Sequence, residues 1–212
     1  FRNTITLLGL SKSYGMASLR AGFLIADEII IRETINRIFQ GWDSSPDIVG
    51  RALMGAFNAS EERKIEYDKY FGKLRSEYQF RYNILKAMVE GIDSIEDKST
   101  KDKVKKTITK NIENKYDLER ALKGLPYTKI PENLEPEAGF FAILNFNELK
   151  GKKYQEKEIK TERQMLEFFY YTNRLRFLIG QSISWPNPKD LIGRVTFALE
   201  PEKLINSFLL MN

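Results

Sequence analysis

The stretch TITLLGLSKSYGMASLRAGFLIA, residues 4–26, decides how the rest of the chain is read. Two apolar runs, residues 4–10 and 21–26, flank a polar, small-residue segment over 11–20, which is the pattern of strand, loop, strand. Reactive groups sit more often on such loops than on the scaffold that holds them. Lys12 stands in the loop directly after the first strand, where desolvation and neighbouring cations favour a neutral amine that can attack a carbonyl. A lysine taken alone is far more often a solvated ion-pair partner. Arg20, eight residues further on, changes that weighting.

Composition narrows the chemistry from the other side. The 212 residues include 34 Lys+Arg, 29 Asp+Glu and no His or Cys. Without imidazole or thiol there is no Ser-His-Asp or Cys-His system, no Cys/His zinc site, no iron-sulfur cluster and no disulfide framework. Chemistry must therefore run on Lys, Arg, Tyr, hydroxyls or carboxylates, or on a cofactor, and no metal site is expected. Hydrophobic residues make up 42% and charged residues 30%, a balance that buries a core, and the length suits one medium domain or two small ones. Apolar runs fall far short of the ~20 residues of a membrane span, so the chain is read as soluble and cytoplasmic with no membrane partner. The net charge of +5 raises the question of an anionic partner. The most basic stretch lies within residues 96–120, where eight Lys/Arg alternate with six Asp/Glu, and KSTKDKVKKTITK carries no aromatics to stack on bases. That segment reads as a solvated insertion, and no nucleic-acid partner is expected.

Downstream, Asp27 is a candidate N-cap for a helix carrying Ile30, Ile31, Ile35 and Ile38 and stopped by Gly41. From Ser60, the positions Ile65, Tyr70, Phe71, Leu74, Tyr78, Leu85 and Met88 keep a helical period up to Gly91, predicting one helix of about 30 residues that bridges two lobes and packs its aromatic stripe into a core. Residues 92–120 are expected to form a helical or flexible insertion. A buried strand is expected over 140–146, and Thr161 with Gln164 forms a capping-box signature for a helix ending near Arg174. Strands at 176–179 and 193–198 follow, separated by a polar loop through Trp185 and Pro186, and Pro201 opens a C-terminal helix. Helices alternating with strands predict an α/β architecture. Because Phe1 leads straight into a strand-like run, the chain is expected to be a fragment, roughly the last half of a longer protein.

The segment SKSYGMASLRAGF resembles the Schiff-base segment of the class I/II aminotransferases, fold-type I enzymes that use pyridoxal 5'-phosphate. The matching features are the Ser11-Lys12 pair, an aromatic, small residues, then Arg20 and Gly22, where glycine lets the next strand approach closely. Gly9 stands where the family often has a phosphate-binding serine, which removes one contact. EPEAGFFAILNF looks like the family's strand entering the small domain, and GRVTFALEPEKL looks like its C-terminal segment, in which an arginine, here Arg194, grips the substrate α-carboxylate. Together the three matches span residues 9–204.

The resemblance implies an α/β fold made of part of the large cofactor-binding domain, residues 1–58, and the small C-terminal domain, residues 59–212, with a charged insertion at 92–120 longer than the family's usual. It implies a catalytic Lys12 in Schiff-base linkage to the cofactor, Ser11 beside it, Arg20 on the cofactor phosphate and Arg194 on the substrate. The expected function is amino-group transfer between an amino acid and a 2-oxo acid, in amino acid metabolism, by a homodimer, with the residues 40–46 turn as a candidate interface. The isolated 212 residues are expected to bind the cofactor weakly and to be inactive. Two other functions share the same residues: a carbon-sulfur lyase or decarboxylase of the same fold, and an aminotransferase-like sensor domain of a transcription regulator.

Overall fold

The computed structural model describes residues 4–14, 20–41, 47–132 and 134–211, and divides the chain into two compact units, Phe1–Phe71 and Gly72–Asn212. The boundary falls inside the longest helix. In the first unit, β1 (Thr6–Gly9) pairs antiparallel with β2 (Gly22–Ile25), with α1 (Leu10–Ser13) between them in sequence. The segment expected to be loop from residue 11 therefore opens as a single helical turn; residues 15–19 lie outside the described residues. Next come α2 (Glu28–Gly41), α3 (Asp47–Phe57) and the start of α4 (Glu61–Glu90). The Asp27 carboxylate accepts from the Ile29 amide at 3.1 Å, as an N-terminal cap does. Most of the 40–46 turn is also outside the described residues. A two-stranded pair is marginal by itself. Here it is backed by edge-on aromatic contacts, Phe23 to Phe57 at 5.2 Å, and Tyr14 to Phe57 and Phe71 at 5.9 and 5.5 Å.

The second unit carries the rest of α4, then α5 (Lys98–Asn111), α6 (Lys115–Lys123), β3 (Phe141–Asn145), the short hairpin β4 (Lys153–Tyr154) and β5 (Lys157–Glu158), α7 (Glu162–Asn173), β6 (Leu178–Ile179), β7 (Ile192–Thr196) and α8 (Pro201–Leu209). The three-stranded sheet has the order β3-β7-β6, antiparallel throughout, so β7 is central. One apolar cluster joins Leu85 and Met88 of α4, Val104 and Ile108 of α5, Leu144 of β3, Phe169 of α7 and Ile205 of α8, all fully buried. Each such side chain stabilises the fold by roughly 1.5–3 kcal/mol relative to exposure.

Two expectations need correction. The aromatic stripe of α4 is core only in its second half, since Ile65 and Tyr70 are exposed. The charged segment takes the helical alternative, as a pair of helices, but it is not simply a solvated insertion. Asp97 caps α5 and Asn114 caps α6 through backbone amides, and Val104, Ile108 and Ala121 sit in the main core while the lysines face water. The Thr161/Gln164 capping box, the end of α7 near Arg174 and the Pro201 start of α8 form as the sequence predicts, and Arg174 closes α7 in an αL conformation.

Candidate functional site

In the first unit the β1–β2 ladder runs from Thr6↔Ile25 to Gly9↔Gly22, and the Leu10 amide extends it by donating to the Ala21 carbonyl at 3.3 Å. At that end the chain leaves β1 through Ser11 and Lys12 and enters β2 through Arg20. The ladder therefore brings the backbone that carries Ser11 and Lys12 close to the backbone that carries Arg20, although eight residues separate Lys12 from Arg20. Gly22 makes the close pairing possible: a Cβ built there would lie 2.8 Å from the Leu8 carbonyl oxygen. Lys12 is on the last turn of α1, held by the buried Leu10 on one side and by Tyr14 in the aromatic cluster on the other. Lys12 itself is exposed and Ser11 is half-buried. Arg20 is exposed with φ 50°, a left-handed conformation that costs a non-glycine residue roughly 1–3 kcal/mol. An amine that can take an aldehyde and an arginine fork that can take a phosphate, on the two backbone segments that meet at this end of the ladder, are a donor set that fits an aldehyde-bearing phosphate ester.

Arg194 belongs to the second unit. It lies on central strand β7, opposite Ile143 on β3 and Leu178 on β6, half-buried. Its guanidinium carbon is 4.5 Å from the centre of the Phe141 ring. That stacking orients the planar fork while leaving its N–H edges to bond an anion. Gly193, the next residue, is buried where an added Cβ would fall 2.7 Å from the Phe177 ring and 2.9 Å from the Phe146 ring, so only glycine fits against this aromatic pair. The start of β7 is pinned by Glu162, the first residue of α7. Its carboxylate accepts from the Gly180 and Gln181 amides at 2.8 Å each and from the Ile192 amide at 3.3 Å. Residue-level reading of the sequence missed Phe141 and Glu162. The available signal was thin: an aromatic pair opening a strand, and an acid inside a capping box.

The sequence matches the family described as Aminotransferase class I and II over residues 2–182, a range that contains Ser11, Lys12 and Arg20 and ends before Arg194. Among solved structures, the aspartate aminotransferase from Rhizobium meliloti superposes with a TM-score of 0.65 at 15% identity, covering 99% of this chain and 42% of that one. A Pyrococcus protein, protein-A1, superposes with a TM-score of 0.60 at 20% identity, covering 100% and 41%. The chain thus spans about two fifths of the length of these structures. No curated protein matches it. At these identities the structural likeness establishes the fold: α/β, of the kind those proteins share. Among the described residues, no helix is long and apolar enough to cross a membrane.

Proposed function

Because the chain belongs to the aminotransferase class I and II family, we propose that it forms part of a pyridoxal-phosphate-dependent aminotransferase moving an amino group between an amino acid and a 2-oxo acid. The observation that carries this reading is the juxtaposition of Ser11, Lys12 and Arg20 at one end of the β1–β2 ladder, inside the matched family range. The cofactor, when bound, supplies the electron sink that makes the substrate α-proton acidic. Lys12 Nζ is the group that would hold the cofactor's aldehyde carbon, with loss of water, and as a free amine it would accept the proton lost from the substrate α-carbon. The Arg20 fork binds the phosphate through charge-assisted hydrogen bonds that a lysine would make less directionally. Ser11 lends a hydroxyl beside the amine. Arg194 binds the substrate α-carboxylate and so fixes which α-bond is presented for cleavage.

On this reading the whole protein acts in amino acid metabolism, in the cytoplasm and as a homodimer, and the 212 residues alone bind the cofactor weakly and do not transaminate. Light scattering on the whole protein tests the dimer, and a transamination assay of the 212 residues tests their inactivity. The direct test of the assignment is borohydride reduction of the whole protein with pyridoxal phosphate, followed by peptide mass spectrometry. A phosphopyridoxyl mass on the peptide carrying Lys12, lost in Lys12→Ala and weakened in Arg20→Met, is expected. The label on a different lysine, with Lys12→Ala unaffected, would refute the assignment.

A further inference from the structure

β6 contributes just two residues to the sheet, Leu178 opposite Arg194 and Ile179 opposite Gly193. Beyond them β7 continues to Val195 and Thr196, whose ladder partners among the described residues are on β3 alone. Over residues 175–177 the chain does not pair with β7, and a groove of about 260 Å³ opens between them. Leu175, Phe177, Leu178, Val195 and Leu199 line it, together with Phe208 from α8. Arg194 and Arg176 are the charged residues that line it, with no carboxylate.

The arginines of this lining contrast with those elsewhere in the unit that carry a carboxylate partner. Arg81 pairs with Glu77 and Glu200, and Arg163 with Glu167. Among the described residues no carboxylate pairs with Arg194 or Arg176. A half-buried guanidinium beside apolar walls, stacked on a ring and lacking an internal counter-ion, is complementary to an anion that brings apolar surface with it. The volume is just under the roughly 300 Å³ at which drug-sized pockets begin, the scale of one side chain.

We propose that this groove is the side-chain subsite of the enzyme, and that the substrates are monocarboxylic amino and oxo acids with branched aliphatic or aromatic side chains. The carboxylate lies on Arg194 and the tail in the groove, so the proposal rests on the reading of Arg194 given above and adds the tail to it. Leu178 and Val195 set the preference for apolar tails. Arg176, exposed at the rim, adds positive potential without closing the groove.

The test is an NMR shift titration of the full 212-residue chain with propionate, hexanoate, 3-phenylpropionate, its neutral amide and glutarate. Each methylene that enters an apolar site tightens binding about fourfold, so hexanoate and 3-phenylpropionate are expected to bind at least ~10-fold more tightly than propionate. Leu178→Asp is expected to remove that advantage. Leu178 is already 45% exposed, so this change leaves the core intact, and circular dichroism verifies the fold. Arg194→Met is expected to make the acid and its amide bind alike. Equal binding of propionate and 3-phenylpropionate, with Arg194→Met weakening both, overturns the groove and leaves the carboxylate role standing. Carboxylate binding that survives Arg194→Met overturns the carboxylate role itself. Tightest binding by glutarate overturns the apolar tail in favour of a dicarboxylate, and no binding by any of the five overturns the proposal.

Discussion

The two units of the chain handle their apolar residues in opposite ways. In Gly72–Asn212 the large apolar side chains of five helices and the three-stranded sheet meet in one cluster, many with no accessible surface. In Phe1–Phe71, Leu7, Ile29 and Ile48 are 77%, 78% and 75% exposed, and the buried hydrophobics among the described residues are Leu10 and Val49. The residues that would bind the cofactor lie in the unit with little core, and Arg194 in the unit with much. Cohesion in the first unit comes from a short strand ladder and edge-on aromatic contacts, each aromatic pair giving about 0.5–1.5 kcal/mol. The large apolar core and the residues proposed to bind the cofactor thus lie in different stretches of sequence.

Truncation is the strongest way to break that contrast. Phe146 is fully buried, stacked on Phe177 at 5.4 Å and tilted against Phe169 at 5.2 Å. Phe146→Ala should cost about 3–5 kcal/mol in urea unfolding. A loss below ~1 kcal/mol would mean that the second unit does not hold the stability. Gly193→Ala, which pushes a methyl into the same aromatic pair, should cost about 1–3 kcal/mol by the same measurement. Tyr82 sharpens the contrast in the other direction. Its hydroxyl is buried with no hydrogen-bond partner among the described residues, and burial, with Glu135 and Glu90 nearby, holds it protonated well above the usual phenol range. Tyr82→Phe removes an unsatisfied group and should raise stability by about 1 kcal/mol, seen as a higher melting temperature. The smallest effect is expected in the first unit, where Ile29→Ser should change stability by no more than ~0.5 kcal/mol. A larger loss there would show that its apolar residues are covered in solution.

What was legible in the sequence was local. A capping box at Thr161 and Gln164 and a proline at the first position of α8 act through the nearest few residues, and each forms as expected. The helix α3 was missed because Gly50 and Gly55 interrupt its pattern, each less favourable than alanine by about 1 kcal/mol, and its partners are remote in sequence. The turn α1 was missed because four residues carry no periodicity; the burial of Leu10 and the ladder fix it. The charged segment was open to a helical reading, but its place in the core was not legible because lysines dominate its composition while a few positions such as Val104 and Ile108 decide its packing. Lys12 and Arg20 stand out in the sequence by their spacing and the family pattern. The ring of Phe141 beneath Arg194 does not, because cross-strand register creates it. The groove follows from the early end of β6, which has no counterpart in residue type.

The Glu162 carboxylate ties amides from a helical turn and a strand start to the first residue of another helix. Such segments ordinarily exchange their hydrogens with water through separate small fluctuations. Sharing one acceptor couples them: the Gly180, Gln181 and Ile192 amides should exchange at related rates, all accelerated together in Glu162→Ala, so that this corner opens as a single event.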